Sequence, residues 1–443
     1  MLSRKMQAAG RTKQVENVTV LDDSPFPECG RMDGRGLTVE VHVARQPIFN
    51  TEKNVIGYEL LFRNGTDDFF PGSDGDQATA DVISGSFFLK IVDDVTVGKK
   101  AFINFTPRLL KHQIMTMLPP KALALELAET IEIDPEVLAA CRQLKEKGYM
   151  VVLDDFVFYQ GSEELVKLAD MVKVDFVKTK EPERQRIAQR LKSMGVSLLA
   201  EKVESYFDFK QAKELGYQYF QGYFFGRPEV FSGRDIPGYT VNYLNMMREA
   251  SRTEIDFDKL EQIFRRDVAL SFKMLKFINS AFFGVRNKIS SVRQALVMLG
   301  RKEILKWVSL LALQNIAQDK PDELVVLSLI RARFGELLTF QLGWTKRSDQ
   351  AFLVGLFSLV DAMLDRPMGD ILRELPLDDD IVFALLRGDN DLGKLHTMAR
   401  HYEKAEWDDF AKLAKELGIA DKDVAELYRQ SLGWAQGLFT LLG

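Results

Sequence analysis

From about Val41 to Tyr223, short apolar runs alternate with stretches in which apolar residues recur at helical spacing. Short apolar runs of this kind are typical of buried strands, and the longer spacing is typical of amphipathic helices. Strands that alternate with helices predict a parallel sheet, and eight strands favour a closed (β/α)₈ barrel over an open sheet. The eight predicted strands are His42 to Ile48, Val55 to Phe62, Lys100 to Phe105, Ala122 to Leu127, Met150 to Asp154, Met171 to Asp175, Ser197 to Glu201 and Tyr217 to Gln221.

The connections between these runs refine the prediction. Asp134 to Lys147 carries apolar residues at helical positions, and Gly148 follows as a stop signal. In contrast, only the polar turn Asn50 to Asn54 separates the first two strands, which is too short for a crossover helix. The barrel is therefore expected to begin with an antiparallel pair.

The strand pattern ends at a cluster of Pro and Gly residues between Arg227 and Gly238. Beyond it the chain predicts an all-helical region, and glycines such as Gly300 and Gly343 interrupt the helices. We expect a mobile tail over residues 1–39, a barrel domain over 40–237 and a helical domain over 238–443. The predicted helices include Ile255 to Phe264, Leu270 to Ile278, Val292 to Leu299 and Glu303 to Ile316.

Composition narrows the class of protein. The 443 residues are 46% hydrophobic and 28% charged, with a formal net charge of -5. This balance is ordinary for globular proteins and argues against a partner that is a nucleic-acid polymer. No apolar run approaches the roughly 20 residues that span a bilayer. With only Cys29 and Cys141, neither a disulfide framework nor a thiolate zinc site is expected, which favours the reducing cytoplasm.

Polar residues close most of the predicted strands. A single Asp or Glu at such a place is usually a solvated strand end, but the carboxyl ends of barrel strands meet at one rim. Several carboxylates there would repel one another unless cations neutralise them, so the repetition indicates hard divalent ions such as Mg²⁺ or Mn²⁺. Zinc is disfavoured because no candidate is His or Cys. Two such ions could activate a water and stabilise the leaving oxygen of a phosphodiester, with a lysine nearby.

Taken in order, these motifs resemble the EAL domains that hydrolyse cyclic di-GMP, over about residues 40 to 240. The matching segments are Gly57 to Arg63, Phe102 to Asn104, Leu125 to Glu129, Leu153 to Phe156, Val172 to Asp175, Ala200 to Glu204 and Gln221 to Tyr223. The resemblance implies cyclic di-GMP as ligand. It implies metal ligation by Glu59, Asn104, Glu126, Asp154 and Asp155. It further implies that Lys173 and Glu201 handle the catalytic water, with Glu204 and Gln221 near the substrate and Arg63 on its phosphate.

Three departures from the EAL pattern bear on activity. Active EAL enzymes generally follow Asp-Asp-Phe with a Gly-x-Gly loop, whereas this chain has Val157 to Gln160. Lys202 stands where a glycine usually precedes Val-Glu, which would add a long cation next to Glu201. Glu59 is followed by Leu-Leu rather than Ala-Leu. Such changes resemble a branch of EAL proteins, often fused to HDOD domains, in which hydrolysis is frequently lost or weak.

The segments Asp267 to Gly284 and Ile289 to Gly300 resemble the opening of an HDOD domain. Their apolar residues Leu270, Met274, Leu275 and Phe277 are expected in the core. HDOD domains look like HD phosphohydrolases without the metal site, and no histidine lies between residues 240 and 395. His396 and His401 are five apart, off a shared helical face, and are expected at the surface. An output surface for a protein partner is therefore expected, and a homodimer is left open.

The sequence is compatible with two functions. In one, the barrel linearises cyclic di-GMP with two divalent cations. In the other, the barrel binds the nucleotide or nothing, and regulates a protein partner through the helical half. An unrelated barrel phosphodiesterase is a more remote alternative, because it would not explain the order of the motifs.

Overall fold

The computed structural model describes residues 41–64, 67–68, 92–111, 118–128, 134–155, 163–227, 240–250, 256–265, 267–280, 288–317 and 320–442. The predicted tail, the loop Val157 to Gln160 and the predicted boundary between residues 237 and 238 lie outside these ranges. Glu40 to Gly443 cluster as one compact unit by their contacts.

Eight of the nine strands in the described ranges close into a barrel, as predicted. β1 pairs antiparallel with β2 and with β9, and the ring runs on through parallel pairs from β2 to β4 and from there to β9. The additional strand β3 pairs antiparallel with the last two residues of β2. The strands are β1 (Val41–Asn50), β2 (Val55–Asn64), β3 (Asp67–Asp68), β4 (Lys100–Asn104), β5 (Leu123–Leu127), β6 (Met150–Leu153), β7 (Met171–Asp175), β8 (Ser197–Glu201) and β9 (Tyr219–Gln221).

Helices cover the outside of the barrel. The predicted helix after Asp134 is confirmed: the Asp134 carboxylate accepts a hydrogen bond from the Val137 amide, and Gly148 follows the helix with φ of +90°. Val137, Cys141 and Leu144 are buried against the sheet. The helices are α1 (Pro107–Lys111), α2 (Pro135–Glu146), α3 (Glu163–Leu168), α4 (Glu181–Ser193) and α5 (Tyr206–Leu215), and a 3₁₀ turn follows at Tyr223–Gly226.

Beyond the barrel the described chain is helical, as predicted. Gly300 interrupts α9 with φ of +69° and ψ of 172°, and Gly343 ends the long helix α10 with φ of +71°. The helices are α6 (Thr240–Ala250), α7 (Phe257–Arg265), α8 (Val268–Ile278), α9 (Val292–Ile316), α10 (Asp322–Gln341), α11 (Ser348–Phe357), α12 (Val360–Leu364), α13 (Met368–Glu374), α14 (Asp379–Leu386), α15 (Asp391–Glu403), α16 (Trp407–Leu417) and α17 (Asp421–Leu442).

Two hydrophobic cores hold these layers. One is a small plug inside the barrel, made of Ile48, Phe102, Ala124, Val152, Met171 and Leu199. The other is continuous from the strands and helices of the barrel into the helical half. Leu270, Met274 and Phe277 belong to it, as expected. No helix in the described ranges combines the length and apolar character of a membrane span.

The plug determines where polar side chains enter the barrel. Successive side chains of a strand point to opposite faces, so a residue two positions from a plug residue also faces the interior. Phe102, Ala124 and Val152 are each followed two positions later by a polar residue. The same step leads from Met171 to Lys173 and from Leu199 to Glu201. The polar residues above the plug are Asn104, Glu126, Asp154, Lys173 and Glu201, and Gln46 stands two positions before Ile48 on the reversed strand β1.

Candidate active site

Lys173 lies at the centre of the polar layer. Its Nζ is 3.1 Å from Glu59 Oε2, 3.0 Å from Glu126 Oε1, 3.1 Å from Asp154 Oδ1 and 2.7 Å from Glu201 Oε1. The lysine side chain and that of Glu126 are fully buried. Five predicted site residues, separated by up to 142 positions in the sequence (201 − 59), are therefore brought into one ionic cluster.

The cluster shifts the pKa values of its members. Burial is the largest influence on Glu126, and together with the neighbouring carboxylates it raises the pKa of that group well above its usual range. Burial also raises the pKa of Glu201 to about 8, against the opposing effect of Lys173. Burial alone would lower the pKa of Lys173, but the surrounding carboxylates outweigh it and the pKa is raised. Lys173 is thus a cation shared by four neighbouring acids, and it compensates part of their charge.

Glu59 has the most complete set of hydrogen bonds. Gln221 Nε2 donates to its Oε2 at 2.6 Å, Lys173 donates to the same oxygen, and Asn104 Nδ2 lies 3.5 Å from Oε1. Burial acts to raise the pKa of Glu59, but Lys173 and Gln221 outweigh it, so the pKa is lowered. Gln221 Nε2 also lies 3.1 Å from Gln46 Oε1.

Several buried oxygens in this layer accept no hydrogen bond from the described residues. Glu126 Oε2 and Asn104 Oδ1 are in this position, and so are Glu126 Oε1 and Asp154 Oδ1, which lie within 3.1 Å of the Lys173 ammonium. Buried acceptors without donors are costly, and hard cations coordinate carboxylate and amide oxygens. Oxygens of Glu59, Glu126 and Asp154 lie within 4.8 Å of one another and could hold a metal ion. The residues present therefore fit the divalent cation that the sequence predicted.

Asp155 is turned away from this group of three. It has a left-handed φ of +48°, and its Oδ2 lies 2.5 Å from the Lys178 ammonium. Its Oδ1 is buried and accepts no hydrogen bond from described residues. Metal ligation by Asp155 stays a prediction that would require this oxygen, or release of Oδ2 from Lys178.

Lys202 forms its ion pair with Asp175, although Glu201 is also close enough to help raise the pKa of the lysine. The distance from Lys202 Nζ to Asp175 Oδ2 is 2.6 Å, and Asp175 also accepts hydrogen bonds from the amides of Val177 and Lys178. The backbone of Lys202 has a left-handed φ of +53°. A left-handed φ also explains why glycine suits this position.

The remaining predicted site residues are Glu204 and Arg63. Glu204 is exposed and pairs with Arg227 at 3.2 Å, so the structure does not bring it into the lysine cluster. The backbone of Arg63 belongs to β2, and its side chain is outside the described part.

Sequence reasoning missed a buried contact behind the site. Tyr58 donates a hydrogen bond to Glu323 Oε2 at 3.0 Å, and Arg45 Nη2 is 3.7 Å from Glu323 Oε1. Glu323 belongs to α10 of the helical half. Consecutive polar residues in β1, Arg45 and Gln46, and in β2, Tyr58 and Glu59, were a signal that both faces of the pair make polar contacts. Nothing local in the sequence pointed to a partner 265 positions away.

The expectation that both late histidines are surface residues is wrong for His396. Its Nδ1 is buried, and burial lowers its pKa well below the usual range. His396 lies on α15 beside Leu395 and Met398, both of which are buried. His401 is half-buried, with Nδ1 2.6 Å from Glu406 Oε2.

Two family models match successive parts of the chain, one in the barrel and one in the helical half. The family model of the EAL domain matches residues 92–228, and that of the HDOD domain matches residues 236–362. The chain is 37% identical over 411 residues to the uncharacterized protein YuxH of Bacillus subtilis (strain 168), covering 90% of this chain and 99% of YuxH. The chain belongs to the EAL–HDOD proteins.

Two further relatives are similar over different extents. The EAL–HDOD chain is 35% identical over 407 residues to the cyclic di-GMP phosphodiesterase CdgJ of Vibrio cholerae serotype O1, covering 90% of this chain and 94% of CdgJ. A standalone EAL protein from Vibrio cholerae O395, solved with cyclic di-GMP bound, has 22% identity and a TM-score of 0.35. That match covers 42% of the EAL–HDOD chain and 91% of the other chain.

Proposed function

We propose that this EAL–HDOD protein is a cyclic di-GMP phosphodiesterase that opens the cyclic dinucleotide to its linear form with divalent cations. The observation that carries the proposal is the approach of Glu59, Glu126 and Asp154 oxygens to within 4.8 Å of one another around a buried lysine. The name of CdgJ, a relative over nearly its whole length, supports the same activity.

The cations that fit the site are Mg²⁺ or Mn²⁺, and we propose two of them. Glu59, Glu126, Asp154 and Asn104 would supply the oxygen ligands, and Asp155 a further one. When bound, the cations would lower the pKa of a water and neutralise charge on the phosphodiester. Gln221 would hold Glu59 in place through the hydrogen bond of 2.6 Å.

Lys173 and Glu201 are proposed to act on the water that attacks phosphorus. Glu201 is proposed as the general base, because its buried carboxylate lies in the same layer as the proposed cation ligands. Lys173 would orient this carboxylate through the contact of 2.7 Å. The water oxygen then forms a bond to one phosphorus, one of the two P–O ester bonds at that phosphorus breaks, and the proton taken up by Glu201 passes to the ribose oxygen that leaves.

The substrate contacts belong to residues around the rim. We propose that Arg63 binds a phosphate oxygen as a bidentate donor and that Glu204 and Gln221 complete the substrate site. The helical domain, proposed over residues 238–443, would carry the signal to a protein partner in the cytoplasm.

A second function is favoured by a specific observation. At one side of the site, Lys178 forms an ion pair with Asp155 and Lys202 forms one with Asp175. In addition, Val157 to Gln160 replace the Gly-x-Gly loop. A protein with these features would bind cyclic di-GMP without hydrolysing it and act as a regulator.

The deciding experiment incubates the full-length protein with cyclic di-GMP and Mn²⁺ or Mg²⁺, and follows the linear dinucleotide by chromatography. Glu126→Gln is the matched control, because it removes one charge from the proposed ligands and preserves side-chain volume. We expect turnover in the parent protein and its loss in the variant. Binding of cyclic di-GMP without turnover would select the regulator, and equal turnover in both proteins would place the chemistry elsewhere.

A further inference from the structure

The antiparallel pair β1–β2 has two functional faces. On the inner face, Gln46 and Glu59 stand directly opposite each other in register, and both contact Gln221. The neighbouring residues Arg45 and Tyr58 point to the outer face, because side chains alternate along a strand. The residues before Gln46 and Glu59 in sequence are therefore the ones that meet the helical half.

The outer face holds a buried charge from α10. Tyr58 donates to Glu323 Oε2 at 3.0 Å, while Arg45 Nη2 lies 3.7 Å from Glu323 Oε1. The Arg45 guanidinium also covers the Tyr58 ring at 4.2 Å and donates to the Val95 carbonyl at 2.7 Å. Arg45, Tyr58 and Glu323 are all buried. A buried carboxylate with two specific partners fixes the position of those partners far more tightly than apolar packing does.

We infer that Glu323 of the helical half is a positioning residue for the cation site, acting through Tyr58 and Arg45 on the strand pair that carries Glu59 and Gln46. This inference rests on the proposed function. Tyr58 and Glu59 are consecutive, so a shift of the Tyr58 backbone displaces the Glu59 carboxylate by a similar distance. Partners that hydrogen-bond directly to metal ligands typically change metal affinity about 10- to 100-fold when removed, and an effect passed on through the backbone is expected at the lower end of that range.

The test measures Mn²⁺ binding to the full-length protein by calorimetry, for Tyr58→Phe, Glu323→Gln and the double variant. Tyr58→Phe removes a single oxygen and keeps the ring under Arg45, so it is the variant that most safely folds. We expect Mn²⁺ affinity to fall about tenfold in each single variant. The double variant should be no weaker than the weaker single variant, because both act through one contact. Amide exchange in residues 57–62 should become faster in both.

The matched control is Trp407→Phe. Trp407 packs near His42 of β1, with ring centroids 6.1 Å apart, and does not enter the contact between Tyr58 and Glu323. It should lower the melting temperature while leaving Mn²⁺ affinity unchanged. Wild-type Mn²⁺ affinity in Tyr58→Phe and Glu323→Gln would overturn the inference alone, provided that Glu126→Gln abolishes binding. Absence of Mn²⁺ binding in the parent protein would overturn the proposed function and the inference with it.

Discussion

At the scale of single residues, the site is built around one buried lysine that faces four acids. Lys173 compensates part of their charge, while burial and mutual repulsion raise the pKa values of Glu126 and Glu201. Such a cluster is expensive without a cation, since buried charges must be paired. A divalent ion needs oxygen ligands. The same acids, together with the Asn104 and Glu126 oxygens that accept no hydrogen bond, could supply them.

Lys202 allows a sharp prediction about backbone strain. A left-handed φ costs a non-glycine residue about 1 kcal/mol, and Lys202 has φ of +53°. We expect Lys202→Gly to be more stable to urea than Lys202→Met by about 1 kcal/mol, because both lose the pair with Asp175 and only glycine relieves the strain. Equal unfolding free energies would show that this conformation is unstrained here.

The residue scale is also where prediction from sequence was least complete. Carboxylates at strand ends were predictable, because the period of two places each of them above the apolar plug. The direction of Lys202 and the turn of Asp155 toward Lys178 were not, since both depend on backbone angles at single positions. The partnership of Tyr58 with Glu323 depends on packing between distant segments, which local periodicity does not encode.

At the scale of elements, the order of the strands in the barrel brings the acids together. The apolar runs of the sequence predicted where most of these strands begin and end. The predicted strand Ser197 to Glu201 is found unchanged, whereas the last predicted strand, Tyr217 to Gln221, begins two residues later, at Tyr219. Tyr217 is apolar and buried, so its pattern resembles a strand although it lies before the ladder begins. Gly300 was correctly predicted as an interruption because its neighbours on both sides are helical.

The passage from β9 into the 3₁₀ turn depends on Gly222. A Cβ added there would lie 2.2 Å from the Val203 carbonyl oxygen and 2.5 Å from the Val203 amide nitrogen. We expect Gly222→Ala to lower the free energy of unfolding by about 3 kcal/mol, because the backbone segments that follow β8 and β9 would have to separate. Urea unfolding measures this loss.

Gly216→Ala is the matched control for this prediction. Gly216 also has a positive φ, of +93°, yet nothing lies within 4 Å of an added Cβ. Its cost should be about 1 kcal/mol, which comes from the backbone alone. Equal losses in the two variants would contradict a role for the close approach to Val203.

At the scale of the whole molecule, the barrel and the helical half share one hydrophobic core. His42 of β1 lies among Tyr402, Trp407 and Phe410, and Glu323 reaches Tyr58 from the other half. Contacts of this kind couple the stability of two regions, because neither can unfold without exposing surface of the other.

We therefore expect the two halves to unfold in a single transition. All four tryptophans, Trp307, Trp344, Trp407 and Trp434, lie in the helical half, whereas Cys141 is buried in the barrel helix α2. Burial raises the pKa of Cys141 to about 11, so its thiol should stay unreactive at pH 8 until the barrel opens. In a Cys29→Ser protein, thiol labelling and tryptophan fluorescence should share one urea midpoint. Labelling at a lower midpoint would indicate independent halves.

The placement of β1 and β2 bears on how the protein can be divided for study. The EAL family match begins at residue 92, after both strands. A fragment trimmed to residues 92–228 would lack two of the eight barrel strands, β1 and β2, and with them Glu59. Its remaining strands β4 and β9 would then present open edges, which pair readily with other chains and lead to aggregation. Fragments should therefore start ahead of Val41, and insolubility of a shorter one would say nothing about the activity of the whole protein.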